Sequence, residues 1–133
     1  MTLLQRLLRG IHDGPIDACC LWTGATSLSR TTRYGYIQEG GRGSKIWRVH
    51  RLVLLIHTGD AVVPQEPDES WLAWVRRVDA YYTVRRLEAS HTCDVSLCCN
   101  PDHLRWETRV ENECGQIARR RAARRDVQDA EAV

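Results

Sequence analysis

Between residues 90 and 112 the chain reads SHTCDVSLCCNPDHLRWETRVEN, in which Cys93, Cys98 and His103 recur every five residues. Thiolate and imidazole mixed at short spacing are what a tetrahedral Zn²⁺ takes. The Asn100-Pro101 turn lets one compact loop present all three to a single ion. Three protein ligands with an open position make a catalytic zinc, whereas a fourth closes the site and makes it structural. A fourth thiol is available upstream at Cys19 or Cys20. A clamp from there to residues 93–103 ties the two halves of a small chain together.

A structural zinc leaves His91 over. It stands just before Cys93, on the strand entering the loop, and Asn112 follows in the first turn of the next helix. A neutral imidazole takes a proton from water, while an amide oxygen helps hold a hard cation such as Mg²⁺ against a phosphate. The cation then offsets charge on the phosphorane-like state and the leaving oxygen.

These residues need a scaffold. The 133 residues have room for one domain, with 43% hydrophobic and 27% charged residues, an ordinary globular balance. The apolar run at Val53 to Ile56 is far too short to cross a bilayer. The opening MTLLQRLLRG lacks a secretory core and cleavage site. The expected location is therefore intracellular: the nucleus in a eukaryote, the cytoplasm for a phage or bacterial protein. Six cysteines without an export signal read as metal ligands rather than a disulfide framework. The net charge of +2 excludes a polycation, and 18 of the 19 basic residues are arginine, Lys45 being the exception. Any nucleic-acid surface must come from clustering.

Leu3, Leu4, Leu7, Leu8 and Ile11 predict a helix over 2–12 that Gly14-Pro15 stops. Strands are expected at Cys19–Trp22, Tyr34–Ile37 and Ile46–Val49, the last two joined through a Gly40–Gly43 hairpin. His50 to His57 is a short apolar helix or strand ending on Gly59, followed by a Pro- and acid-containing loop over 60–69. Ser70 caps a helix running through Arg86, with Leu72, Val75, Val78 and Tyr82 along one face. Thr108 and Glu111 form a capping box for a final helix. Its end, Arg119 to Arg125, is strongly basic and runs into an acidic tail. The expected class is α+β, one small zinc-stabilised domain with antiparallel β-hairpins.

The 90–112 stretch resembles the active-site motif of the His-Cys box homing endonucleases, within the His-Me finger (ββα-metal, HNH-like) nucleases. The shared residues are Ser90, His91, Cys93, Cys98, Asn100, Pro101, His103, Leu104, Trp106, Glu107 and Asn112. Upstream, Cys19-x-x-Trp22-Thr23-Gly24, Tyr34-Gly35 and Val49-His50-Arg51 resemble the class as well. The resemblance implies a ββα-metal site with His91 as general base and Asn112 as the Mg²⁺ ligand. It makes Cys93, Cys98 and His103 zinc ligands, with Cys19 as the fourth and Cys20 as the alternative. It also implies a hairpin cation near the cleaved phosphate, for which Arg42 ranks ahead of Lys45 and Arg48. Against the family type, residues 60–89 look like a helical insertion between a β-rich part (19–59) and the zinc loop with its active-site helix (90–118). Residues 119–133 form the basic helix end and tail. Only Cys114 follows Asn112, so one zinc is expected rather than two.

The other residues have plainer readings. Cys99 and the unused member of Cys19 and Cys20 read as packed thiols. Trp22, Trp47, Trp71, Trp74 and Trp106 stand in for the absent phenylalanines, and His50 and His57 read as structural. The arginine run is a solvated face, a phosphate grip or a nuclear address. Arg30, Arg33, Arg42, Lys45 and Arg48 are the candidate DNA contacts, since a two-stranded ribbon fits the major groove. The expected function is a site-specific, metal-dependent double-strand DNA endonuclease, intron-encoded and homodimeric. It needs one Zn²⁺ and one Mg²⁺ per chain and no membrane or small-molecule substrate. The alternatives are another HNH-type nuclease, such as a phage nickase or toxin, and a non-catalytic zinc-stabilised DNA-binding module.

Overall fold

The computed structural model describes residues 1–131, with side chains through residue 128. Helix α1 spans Leu3–Gly10 and opens on a capping box in which Thr2 and Gln5 satisfy each other's backbone N–H groups. It buries Leu3 and Leu7. The helix ends before the expected position, because Ile11–His12 turns into strand β1 and pairs with β2, Leu21–Trp22. The cause is the Trp22 indole. Gly10, Gly24 and Gly35 surround it so closely that a Cβ would come within 2.2, 2.4 and 2.5 Å of ring atoms respectively. Its Nε1–H donates to the Ala25 carbonyl at 2.9 Å.

Strands β3 (Thr26–Ser29), β4 (Thr32–Gln38) and β5 (Ile46–Arg48) form an antiparallel sheet in that order. Arg30 takes the left-handed conformation (φ 57°) in the two-residue turn between β3 and β4. The expected glycine-rich turn joins β4 to β5, with Gly43 at φ 86°.

Val49 opens helix α2, which runs to Val62 and buries His50, Leu52, Val53, Leu54 and Leu55. Of the two readings for this segment, helix is the one realised. Gly59 does not end it; the glycine is a packing position, where a Cβ would stand 2.6 Å from Trp74. Helix α3, Trp71–Val84, is capped by Ser70 and buries Trp74, Val75, Val78 and Tyr82. Trp74 takes the central place expected of Leu72, which is half-buried. The stretch 60–89 is thus not helical throughout: it holds the end of α2, all of α3 and the start of β6.

Strands β6 (Leu87–His91) and β7 (Leu104–Thr108) form the last hairpin, in register Ser90↔Arg105 and His91↔Leu104. Helix α4, Arg109–Glu131, follows directly, and the Thr108–Glu111 capping box forms as expected. The β6–β7 hairpin packs between α4 on one face and α2 and α3 on the other. On the inner face Trp106 stacks on Tyr82 at 3.8 Å. Both give a hydrogen bond to Thr58 Oγ1 at 3.0 Å. On the other face the buried Glu107 accepts from Ser90 Oγ at 2.7 Å and pairs with Arg105. Among the described residues no helix is long and apolar enough to cross a membrane.

Candidate metal centre and active site

The upstream ligand reaches the zinc loop through backbone pairing. Trp22 N–H donates to the Leu97 carbonyl at 2.9 Å and Cys99 N–H to the Cys20 carbonyl at 2.6 Å, with Leu21 opposite Cys98. Asn100 fastens the junction. Its Nδ2 donates to the Ala18 carbonyl at 2.8 Å while its Oδ1 accepts from Asp102 N–H at 3.0 Å, holding the 3₁₀ turn Pro101–His103. Successive side chains of an extended segment point to opposite sides, so Cys19 and Cys20 diverge. Cys19 joins Cys93, Cys98 and His103, all four ligand atoms lying within 4.8 Å of one another.

This geometry fits zinc. His103 Nδ1 stands 3.4 Å from Cys98 Sγ and 3.7 Å from Cys19 Sγ. Zn–S and Zn–N bonds of ordinary length in a tetrahedron put sulfur and nitrogen about 3.6 Å apart. The other ring nitrogen, Nε2, donates to the Asp17 carbonyl at 3.0 Å, which leaves Nδ1 as the ligating atom. Asp17 itself sits at φ 67°. Burial pushes the Cys19 thiol up to about 12, reinforced by hydrogen bonding and like charge from Cys98 and Cys93. Burial likewise raises Cys93, whereas at Cys98 burial is outweighed by hydrogen bonds from the Asn100 N–H and His103, which lower it. Thiols so crowded resist ionising together, and a divalent cation removes that resistance. All six cysteines are free, as a metal site rather than a disulfide framework requires.

His91 ends β6 with its Nε2 3.1 Å from the Cys98 carbonyl oxygen. A carbonyl only accepts, so Nε2 carries the proton and Nδ1 keeps its lone pair. Burial holds the His91 pKa below its ordinary value, with the Cys98 carbonyl and Asp94 acting the other way. A neutral imidazole with a directed lone pair can act as a base.

Asn112 lies in the first turn of α4. Its Nδ2 donates to Glu88 Oε1 at 2.8 Å and its Oδ1 accepts from Gln116 at 3.2 Å. Glu88 and His91 are an odd number of positions apart on β6, hence on opposite faces of the strand. His91 therefore looks toward α2, beside His50, and Asn112 toward the face covered by α4. The oxygens of Asn112 and Glu88 are donors of the kind a hard cation takes.

The five candidate DNA contacts are all exposed. They do not share one face. Register puts Arg33 on the side of Ile37 and Trp47, and Arg48 on the side of Tyr34 and Tyr36. Lys45 is engaged with Asp79 at 3.1 Å, and Arg48 lies over the Tyr34 ring at 4.5 Å. Arg42 stands on the exposed β4–β5 turn. In the basic run, Arg119 reaches back to the loop after His91, whereas Arg120, Arg121, Arg124 and Arg125 are exposed.

Two residues at the site were not among the predicted site residues, although Val49-His50-Arg51 belongs to the upstream resemblance. Asp17 orients His103 through a backbone carbonyl, which no side-chain pattern reveals. His50 is buried with its ring centroid 4.5 Å from that of His91. His57, read alongside it as structural, is exposed.

The family model described as the zinc-binding loop region of homing endonuclease matches residues 19–130. That span begins at the upstream ligand and takes in the whole cluster. No curated protein and no solved structure matches the chain.

Proposed function

The chain belongs to the homing-endonuclease family defined by its zinc-binding loop, and from that membership and its site we propose that it hydrolyses DNA phosphodiester bonds. The observation that carries the reading is the bond from His91 Nε2 to the carbonyl of Cys98, itself one of the four clustered residues. The base is thereby oriented by the metal loop. Zinc would be held by Cys19, Cys93, Cys98 and His103, closing the site so that its role is structural. His91 Nδ1 takes a proton from water, and the water oxygen attacks phosphorus. The Cys98 carbonyl steadies the imidazolium that forms. The P–O3′ bond breaks, the 3′-oxygen takes a proton from solvent water, and the products are a 5′-phosphate and a 3′-hydroxyl.

When bound at Asn112, Mg²⁺ would supply positive charge to the phosphate and the leaving oxygen. Asn112 Oδ1 accepts one bond, from Gln116 at 3.2 Å, and its second lone pair would serve the cation. Arg42, ahead of Lys45 and Arg48, is the hairpin cation nearest the cleaved phosphate, and Arg30 and Arg33 complete the contacts to the duplex. One site cuts one strand, so double-strand cleavage at a fixed offset calls for a homodimer, and the natural setting is an intron-encoded homing enzyme.

The test is zinc-loaded protein incubated with a randomised duplex library and Mg²⁺, followed by sequencing of the cut ends. His91→Ala is expected to abolish cleavage while keeping zinc content and DNA affinity. Undiminished cutting by that variant overturns the assignment of the base. DNA binding without metal-dependent cleavage by the unaltered protein overturns the enzymatic reading in favour of a binding module.

A further inference from the structure

His50 occupies the first turn of α2, with 7% of its surface exposed. Its ring lies 4.5 Å, centroid to centroid, from the ring of His91, tilted by 39°. On its other side the Tyr34 ring lies at 5.6 Å and 32°, and the Arg48 guanidinium covers Tyr34 at 4.5 Å. Four flat groups from β5, β4, α2 and β6 thus form one column that ends on His91.

The bond to the Cys98 carbonyl pins only one atom of the His91 ring. A ring held at one nitrogen still turns about its remaining side-chain torsion, and the opposite nitrogen sweeps an arc. A flat group against its face removes that freedom. His50 Nδ1 is buried and has no hydrogen-bond partner among the described residues. What its ring offers His91 is a flat neighbour at 4.5 Å, tilted by 39°. Burial, with His91, Arg48 and Arg51 acting in the same direction and the Ala89 backbone acting against them, lowers the His50 pKa to about 3, so the ring brings no charge to the site.

We propose that His50 is a positioning residue, whose imidazole face fixes the plane in which His91 presents Nδ1 to the attacking water. The proposal rests on the nuclease reading for its consequence in rate, but not for the contact itself. It requires His50 to act through His91 without touching substrate. A small misplacement of a reacting group costs about 100-fold in rate. His50→Ala should accordingly lower kcat by about that factor and leave KM unchanged. His50→Phe keeps a flat face and should restore most of the rate. His50→Leu fills the space without one and should remain slow, which keeps the comparison available if the alanine variant loses its zinc.

The same zinc-loaded proteins give a readout that needs no DNA. NOEs from the His91 ring protons should define one ring orientation in the wild type and in His50→Phe. They should report averaging over several orientations in His50→Leu and His50→Ala. A phenylalanine variant as slow as the leucine variant overturns the proposal. So does one fixed His91 ring orientation in all four proteins. If the wild type cuts no DNA, the nuclease reading fails, and the ring-orientation comparison still decides the role of His50.

Discussion

The Arg119 guanidinium grips both carboxylate oxygens of Asp94, at 2.7 and 2.8 Å, and its Nη2 also donates to the His91 carbonyl at 3.1 Å. The fork ties the middle of α4 to the loop that carries the candidate base. Side-chain exposure is 28% for Arg119 and 46% for Asp94, so solvent screens the pair and its worth to stability is under about 1 kcal/mol. Its worth to geometry is larger, because two fixed donors define an orientation that a point charge does not. Arg119→Ala should leave the melting temperature nearly unchanged and slow cleavage by about tenfold, as expected of a loosened catalytic loop. Arg119→Lys should recover little of that rate. Thermal melts beside single-turnover cleavage rates separate the two effects.

Removing zinc should abolish the fold. Structural zinc contributes on the order of 10 kcal/mol, comparable to the whole stability of a small domain. Chelation should therefore replace a cooperative melting transition with a featureless one. Cys19→Ser should lose one bound zinc per chain, and Cys20→Ser should retain it, because only Cys19 reaches the cluster. Metal analysis of the two purified variants checks this. Equal zinc loss from both would show that the alternation along 19–22 has been misassigned.

The glycines around Trp22 should tolerate no methyl group. A Cβ at Gly35 would meet Trp22 Cδ1 at 2.5 Å, on a ring buried against the sheet, whereas one at Gly41 meets nothing within 4 Å. Gly35→Ala should cost about 1–3 kcal/mol through overpacking. Gly41→Ala, on the open turn, should change stability by less than about 0.5 kcal/mol. Chemical denaturation of the two variants provides the comparison.

Among the hairpin cations, Arg42 and Lys45 should behave differently on DNA. Arg42→Ala should weaken binding across sequences alike and lower the slope of log affinity against log salt by about 1. Lys45→Ala should change that slope less, because its ammonium is already held by Asp79 at 3.1 Å. A salt titration of binding for each variant measures both slopes.

Local patterning made much of this molecule legible. The spacing of Cys93, Cys98 and His103 is a loop property, and the loop survives as read. The capping box at Thr108 and Glu111 and the glycine turn at 40–43 are local as well. What escaped depended on distant partners. The spacing of Cys19 to Trp22 ranks it ahead of Cys20, but the reason it alone reaches the cluster is the pairing of residues 20–22 with 97–99, a register that no nearby residue announces. Gly59 reads as a helix stop until Trp74, on another helix, shows why the position must lack a side chain. Ile11 continues a helical apolar stripe, yet tertiary pairing with Trp22 draws it into a strand. His50 looked structural because nothing in Val49-His50-Arg51 records that β6 will lay a second imidazole beside it.

The separation of Cys19 from His103, 84 residues along the chain, bears on how the molecule comes into being. Synthesis delivers Cys19 84 residues before His103, and for most of that interval Cys19 is the one member of the ligand set already made. A single early thiolate holds zinc only loosely, in exchange with whatever else binds the metal. The fourth ligand closes a long loop in one step, and that step couples metal capture to the docking of 19–22 on 97–99. Zinc scarcity should therefore show itself during biogenesis, as chains degraded before they dock, more than as slow metal loss from finished molecules.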